Sequence, residues 1–138
     1  MGTFQAGDTF LMGGLNKDFK KLHLYVVLCN AEGNPPTILA VPFNTLNLQT
    51  DTTLVLQPGD HPFVTRETSV SFNLLISFNT EMIVKLEEMK GEHFQRHVPA
   101  TPDLLKRIIK GALQSDETPK GMVRALKQRL RINSADDL

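Results

Sequence analysis

Apolar positions follow two regimes along this chain, and the change comes just past Lys85. Before it, short apolar runs are separated by turn-forming residues. After it, apolar positions recur at helical spacing. T-F-L-M at residues 9–12, introduced by Gly7-Asp8, predicts the first strand. Residues 22–29, L-H-L-Y-V-V-L-C, predict the second, and their near-continuous apolarity predicts a central position. A third strand spans 37–43 and ends around Pro42, which has no N–H for the ladder. T-T-L-V-L (52–56) and S-V-S-F (69–72) alternate as a fourth and fifth, and residues 82–86 offer a sixth. Short strands with regular turn signals predict a small antiparallel barrel or a strongly curved sheet.

The second regime begins with L-E-E-M-K-G, a helical turn or two stopped at Gly91. Thr101-Pro102-Asp103 is a helix start with Thr as N-cap, Pro at the first helical position and an acid in the first turn. Leu104, Leu105, Ile108, Ile109, Ala112 and Leu113 then share one face. Thr118-Pro119 repeats the signal for a last helix with Met122, Val123, Leu126 and Leu130 inward. Its other face carries Lys120, Arg124, Lys127 and Arg129, with Arg131 beyond and no acid among them. The expected class is therefore mainly β with C-terminal helices. Residues 1–86 form the β part and 87–138 a helical extension packed on it, as a single domain.

Composition narrows the function classes. Fifteen Lys/Arg against fifteen Asp/Glu argues against a bulk electrostatic nucleic-acid binder, leaving local patches. The single cysteine, Cys29, ends an apolar strand and reads as a buried small hydrophobe. No stretch approaches the ~20 apolar residues of a membrane span. The N-terminus lacks a signal-peptide pattern, so a cytoplasmic location is expected. His93 and His97 stand four apart, but no H-E-x-x-H arrangement, Cys pair or carboxylate cluster completes a metal site. No metal or other cofactor is expected. G-x-S-x-G, P-loop and dinucleotide motifs are also missing from the sequence.

The densest candidate chemistry lies in L-Q-P-G-D-H-P-F-V-T-R-E-T-S-V-S-F, residues 56–72. Pro58-Gly59 predicts a type II turn, and His61 before Pro62 stays extended. His61, Thr65, Arg66 and Ser69 crowd this rim, with His23 opening the second strand and Asn44-Thr45 closing the third. Histidine exchanges protons near neutrality, and arginine holds negative charge developing on a phosphate. Such a set suits attack of a ribose 2′-hydroxyl on the neighbouring phosphate, the first step of metal-independent RNA cleavage. Equally, His61 can be a plain turn residue and Arg66-Glu67 a surface pair. The polar loop at 13–21 is either a solvated connection or a flap carrying Lys17, Lys20 and Lys21 to an anion.

G-D-T-F-L-M, the loop, H-L-Y-V-V-L-C and L-A-V-P-F-N-T together resemble the PemK/MazF toxin superfamily over residues 7–78. That superfamily's pattern is a Gly-Asp strand start, a loop, R-P-x-V-V-L-S and V-P-I-T-S. The D-T-T-L-V-L-Q-P-G-D-H-P-F block is similar to a divergent PemK-like branch of small bacterial and mobile-element proteins. The resemblance implies an SH3-like barrel, a homodimer, metal-independent cleavage of single-stranded RNA, and a cognate antitoxin as partner. It places His23 at the toxin's catalytic Arg and Asn44 at its catalytic Thr. Histidine cannot make a bidentate phosphate clamp and asparagine has no hydroxyl, so the work shifts to His61, Thr65 and Arg66. The expected RNA-binding set is Lys17, Lys20 and Lys21 of the loop with Thr45 and Ser69 of the rim. The alternative is a non-catalytic small barrel that binds a protein or nucleic acid through residues 58–69 and the basic helix 119–131. A third reading is an inert accessory module.

Overall fold

The computed structural model describes residues 4–13, 22–88 and 94–138. It is a mixed β+α fold. Strands β1 (Thr9–Gly13), β2 (Leu22–Val27) and β3 (Thr37–Thr45) form the middle of an antiparallel sheet. The edges are β4 (Val55–Leu56), which pairs with β5 (Thr68–Val70), and β7 (Phe94–His97), which pairs with β1. β6 (Ile76–Asn79) also lies on β3, so β5 and β6 together run along one side of it. Between them, a 3-10 turn at Phe72–Leu74 displaces the register. Three steps along β3, from Phe43 to Ala40, face six from Val70 to Ile76.

Alternation along β2 and β3 explains their unbroken apolarity. Leu24, Val26 and Leu28 join Leu39, Val41 and Phe43 in one buried cluster. Tyr25 and Val27 join Ile38 and Ala40 in another. The first cluster is completed by Leu104, Ile108, Ile109 and Ala112 of α2 (Pro102–Gln114) and Leu126 of α3 (Lys120–Leu130). The second holds Ile83 of α1 (Thr80–Glu88) and an aromatic group in which Phe10 stacks on Tyr25 and Phe94 and meets Phe4 and Phe78 edge-on. Period-two alternation thus delivers large side chains to both faces, and each face has its own cover.

That double cover corrects the expected barrel. Among the described residues β4 and β7 share no ladder, so the sheet is open. A closed small barrel turns one face of every strand inward and leaves the other largely to solvent. Here helices cover both faces. The expected sixth strand at 82–86 is helical, within α1, and begins where Asn79 Oδ1 accepts the Glu81 N–H at 2.8 Å. The fourth strand shortens to two residues because Asp51 Oδ1 accepts the Thr53 N–H at 2.8 Å and bends the chain. The segment after residue 86 is not wholly helical, since β7 returns to the sheet. No helix among the described residues is long and apolar enough to cross a membrane.

α2 starts as its sequence predicts, with Thr101 Oγ1 accepting from the Leu104 N–H at 3.1 Å. It lies so close to the 3-10 turn that a Cβ on Gly111 would stand 2.6 Å from Phe72 Cζ. At α3, Pro119 takes the N-cap position and Thr118 is buried, so the cap differs from the expected one. Arg129 is not on an outer basic face. Its guanidinium donates to the Thr37 carbonyl at 2.9 Å and to the Thr37 hydroxyl, with Glu32 3.7 Å away, and pins α3 to the start of β3.

Candidate functional site

One wall of a cleft of about 600 Å³ is made where β2 begins and β3 ends. β2 contributes His23, and β3 contributes Asn44 and the exposed Thr45. The rest of the lining comes from the 57–67 turn, with Thr65 and Arg66, and the end of β7, with His97. Five of the residues expected from the sequence therefore meet: His23, Asn44, Thr45, Thr65 and Arg66. His97 is the addition. It stood out in the sequence only beside His93, because nothing local announces β7. Lys17, Lys20, Lys21 and His93 lie outside the described residues.

Hydrogen-bond partners assign the two cleft imidazoles different roles. His23 Nδ1 is 3.3 Å from the Phe43 carbonyl oxygen and donates to it, which leaves the Nε2 lone pair. His97 Nδ1 accepts the N–H of Val98 at 2.8 Å, so the ring proton sits on Nε2. His23 is then the ring with a basic nitrogen to offer, and His97 the ring with a donor. Asn44 Nδ2 donates to Ser71 Oγ at 2.6 Å, which ties the amide to the chain just past β5. Arg66 is exposed, and among the described residues it makes no ion pair. The neighbouring Glu67 takes a bond from Gln57 Nε2 at 3.2 Å instead.

His61 does not stand among these groups. It is 3% exposed, Nε2–H donates to the Val98 carbonyl at 2.7 Å, and Nδ1 accepts the Phe63 N–H at 3.0 Å. Burial pushes its pKa down against the opposing Val98 bond. A neutral ring with both nitrogens engaged cannot exchange a proton with a bound substrate, which corrects its expected catalytic role. It is a clamp between the turn and the end of β7. Ser69 is corrected likewise: fully buried, it gives its hydroxyl to the Asp51 carbonyl at 2.5 Å and cannot touch RNA. The turn itself is a type II reversal with Gly59 at φ 103°. Asp60 closes it, accepting from the Gln57 N–H at 2.7 Å and from Arg107 of α2 at 3.0 Å. The Gln57 amide first, and Arg107 after it, hold the Asp60 carboxyl below its usual range.

The same clamp carries Phe63 to the cleft wall, where its ring meets His97 edge-on at 6.1 Å. Among the described residues no three His, Cys, Asp or Glu are grouped to hold a metal ion. Comparison with models of known protein families gives no match, and comparison with curated proteins gives none.

Proposed function

We propose that this cleft is the active site of a metal-independent endoribonuclease of the toxin type, acting on single-stranded RNA. The observation that carries the reading is one polar cleft holding a basic imidazole nitrogen, an imidazole N–H and an arginine without an ion-pair partner among the described residues. His23 Nε2 takes the proton of the ribose 2′-hydroxyl while Nδ1–H stays on the Phe43 carbonyl, a bond that strengthens as the ring becomes cationic. The 2′-oxygen attacks phosphorus and the bond to the 5′-oxygen breaks. That oxygen takes a proton from water, and His23 returns its own proton to solvent. Arg66 and His97 Nε2–H face the charge that builds on the non-bridging oxygens. The products are a 2′,3′-cyclic phosphate and a 5′-hydroxyl end.

The motif resemblance over residues 7–78 supports the toxin class, and with it a cognate antitoxin and a homodimer as parts of the same proposal. His23 stands where that class has Arg, and its proton chemistry compensates for the lost clamp, while Arg66 supplies the cation from the same cleft. Non-catalytic binding of nucleic acid would use the same cleft, and one assay separates the two. RNA incubated with the protein in EDTA should be cut to 5′-hydroxyl fragments, with His23→Ala slowing the reaction at least about 100-fold. RNA left intact across neutral pH rejects the nuclease.

A further inference from the structure

Five large apolar side chains are exposed among the described residues: Leu48, Phe63, Leu74, Met82 and Val98. Phe63 is the one that lines the cleft. Its backbone is held from below, because its N–H donates to a histidine that is itself tied to the Val98 carbonyl. Its ring meets the His97 ring in a T-shaped contact with centroids 6.1 Å apart. Phe63 is thus anchored through its backbone with more than a third of the residue's surface in solvent, at 36%. Pro62 stiffens the chain just before it, and Arg66 lies in the same cleft. A partly exposed aromatic ring in the same cleft as an available cation is the arrangement that receives a base with its phosphate: the ring stacks and the guanidinium neutralises. An aliphatic residue would fill the space without offering a π-face.

We propose that Phe63 is a nucleobase-stacking platform, which seats one base of a single-stranded RNA beside the phosphate that Arg66 contacts. This deepens the nuclease reading and rests on it for the identity of the strand. It adds that this base must be unstacked on one side, since a ring can stack on a base only where the neighbouring base has been displaced. Sequence tolerance follows, because every base has a π-face.

The test uses binding to a short 2′-fluoro oligoadenylate, which lacks the attacking hydroxyl, so that affinity is read without cleavage. The chain contains no Trp, so Phe63→Trp gives a single fluorescent reporter at the platform. Its emission should be quenched by the oligomer and not by an abasic oligomer of equal length. Phe63→Leu, which keeps the backbone bond to His61, should weaken oligoadenylate binding about tenfold and leave binding of the abasic strand unchanged. Arg66→Ala should weaken both. Equal affinity of the wild-type protein and Phe63→Leu for oligoadenylate overturns the platform, as does equal affinity of the wild type for the abasic strand. Adenosine monophosphate binding as tightly as the oligomer overturns the strand in favour of a free nucleotide. The two proposals fail separately. RNA cut equally well by wild type and Phe63→Leu removes the platform and keeps the nuclease. Oligoadenylate binding that depends on Phe63, with RNA left intact in EDTA, removes the nuclease and keeps the platform.

Discussion

The two halves of the 57–67 turn are contiguous in sequence, and their polar groups have opposite fates. In the first half, Asp60 and His61 turn inward, and each polar atom that hydrogen-bonds does so to a named partner: Gln57, Arg107, Val98 or Phe63. In the second half, Phe63, Thr65 and Arg66 face the cleft. A histidine, usually the first residue suspected of proton chemistry, is here the fastening, and a phenylalanine next to it is left uncovered. What separates the halves is whether hydrogen-bond partners lie within reach, not residue type. Inward groups are stabilised by partners and become insensitive to ligand; outward groups have chemistry to spare.

Substitutions should split along the same line. The largest effect is expected at Arg66. Arg66→Ala should lower kcat/KM for RNA by about 3–4 kcal/mol of transition-state stabilisation, with the melting temperature unchanged because the side chain is exposed. A melting temperature that falls with activity would place Arg66 in the inward class. Next is His61→Ala, which removes two buried hydrogen bonds and leaves a void. It should cost about 3 kcal/mol in chemical denaturation. A loss below about 1 kcal/mol would mean that the clamp contributes little and that the turn is held elsewhere. Smaller again is Asp60→Asn, which keeps the shape and removes the charge facing Arg107. Both side chains are partly exposed, so screening limits the loss to about 1 kcal/mol. If the same change abolished cleavage at unchanged stability, Asp60 would belong to the cleft chemistry.

Much of the fold was legible where the relevant contacts are local. β1, β2 and β3 announced themselves by apolar runs, and α2 by Thr101-Pro102 followed by an amphipathic face. β2 also held the objection to a barrel: apolar residues at both parities need cover on both faces, which helices on each side of an open sheet supply. The run M-I-V-K-L at 82–86 is too short to tell period two from period 3.6, and Asn79 ahead of it was the cap that could have decided for helix. β7 had no local signal, because F-Q-R-H becomes a strand only by pairing with β1. The same holds at the site. The crowding of polar residues at 58–69 was visible, but their orientation was not. His61 finds its partner 37 residues away and Asp60 finds Arg107 at 47. Likewise, the five-cation face expected of α3 loses Arg129 to Thr37, 92 residues distant.

The smallest expected effect is a pH dependence that belongs to the inward half alone. In the unfolded chain an imidazole takes up its proton at about pH 6.5. In the folded protein His61 does so at lower pH, chiefly because burial disfavours the cation. Between those two values the unfolded state binds more protons, so stability is complete above about pH 6.5 and falls as pH drops toward the folded value. Asp60 and Asp51 are held low too, the latter because Ser115 and Thr53 outweigh its burial, but unfolded aspartates titrate at about pH 4 and their losses belong to a lower window. Denaturation midpoints measured from pH 7 down to pH 5 should therefore decline in the wild-type protein. His61→Gln, which offers polar atoms but does not titrate, should start lower and decline less. Parallel curves for the two proteins would show that the proton is taken up elsewhere and that His61 is not the ring sealed from solvent. A flatter curve for His61→Gln, with the RNA-binding pH profile of the outward half unchanged, would show that the two halves of one turn answer to different variables.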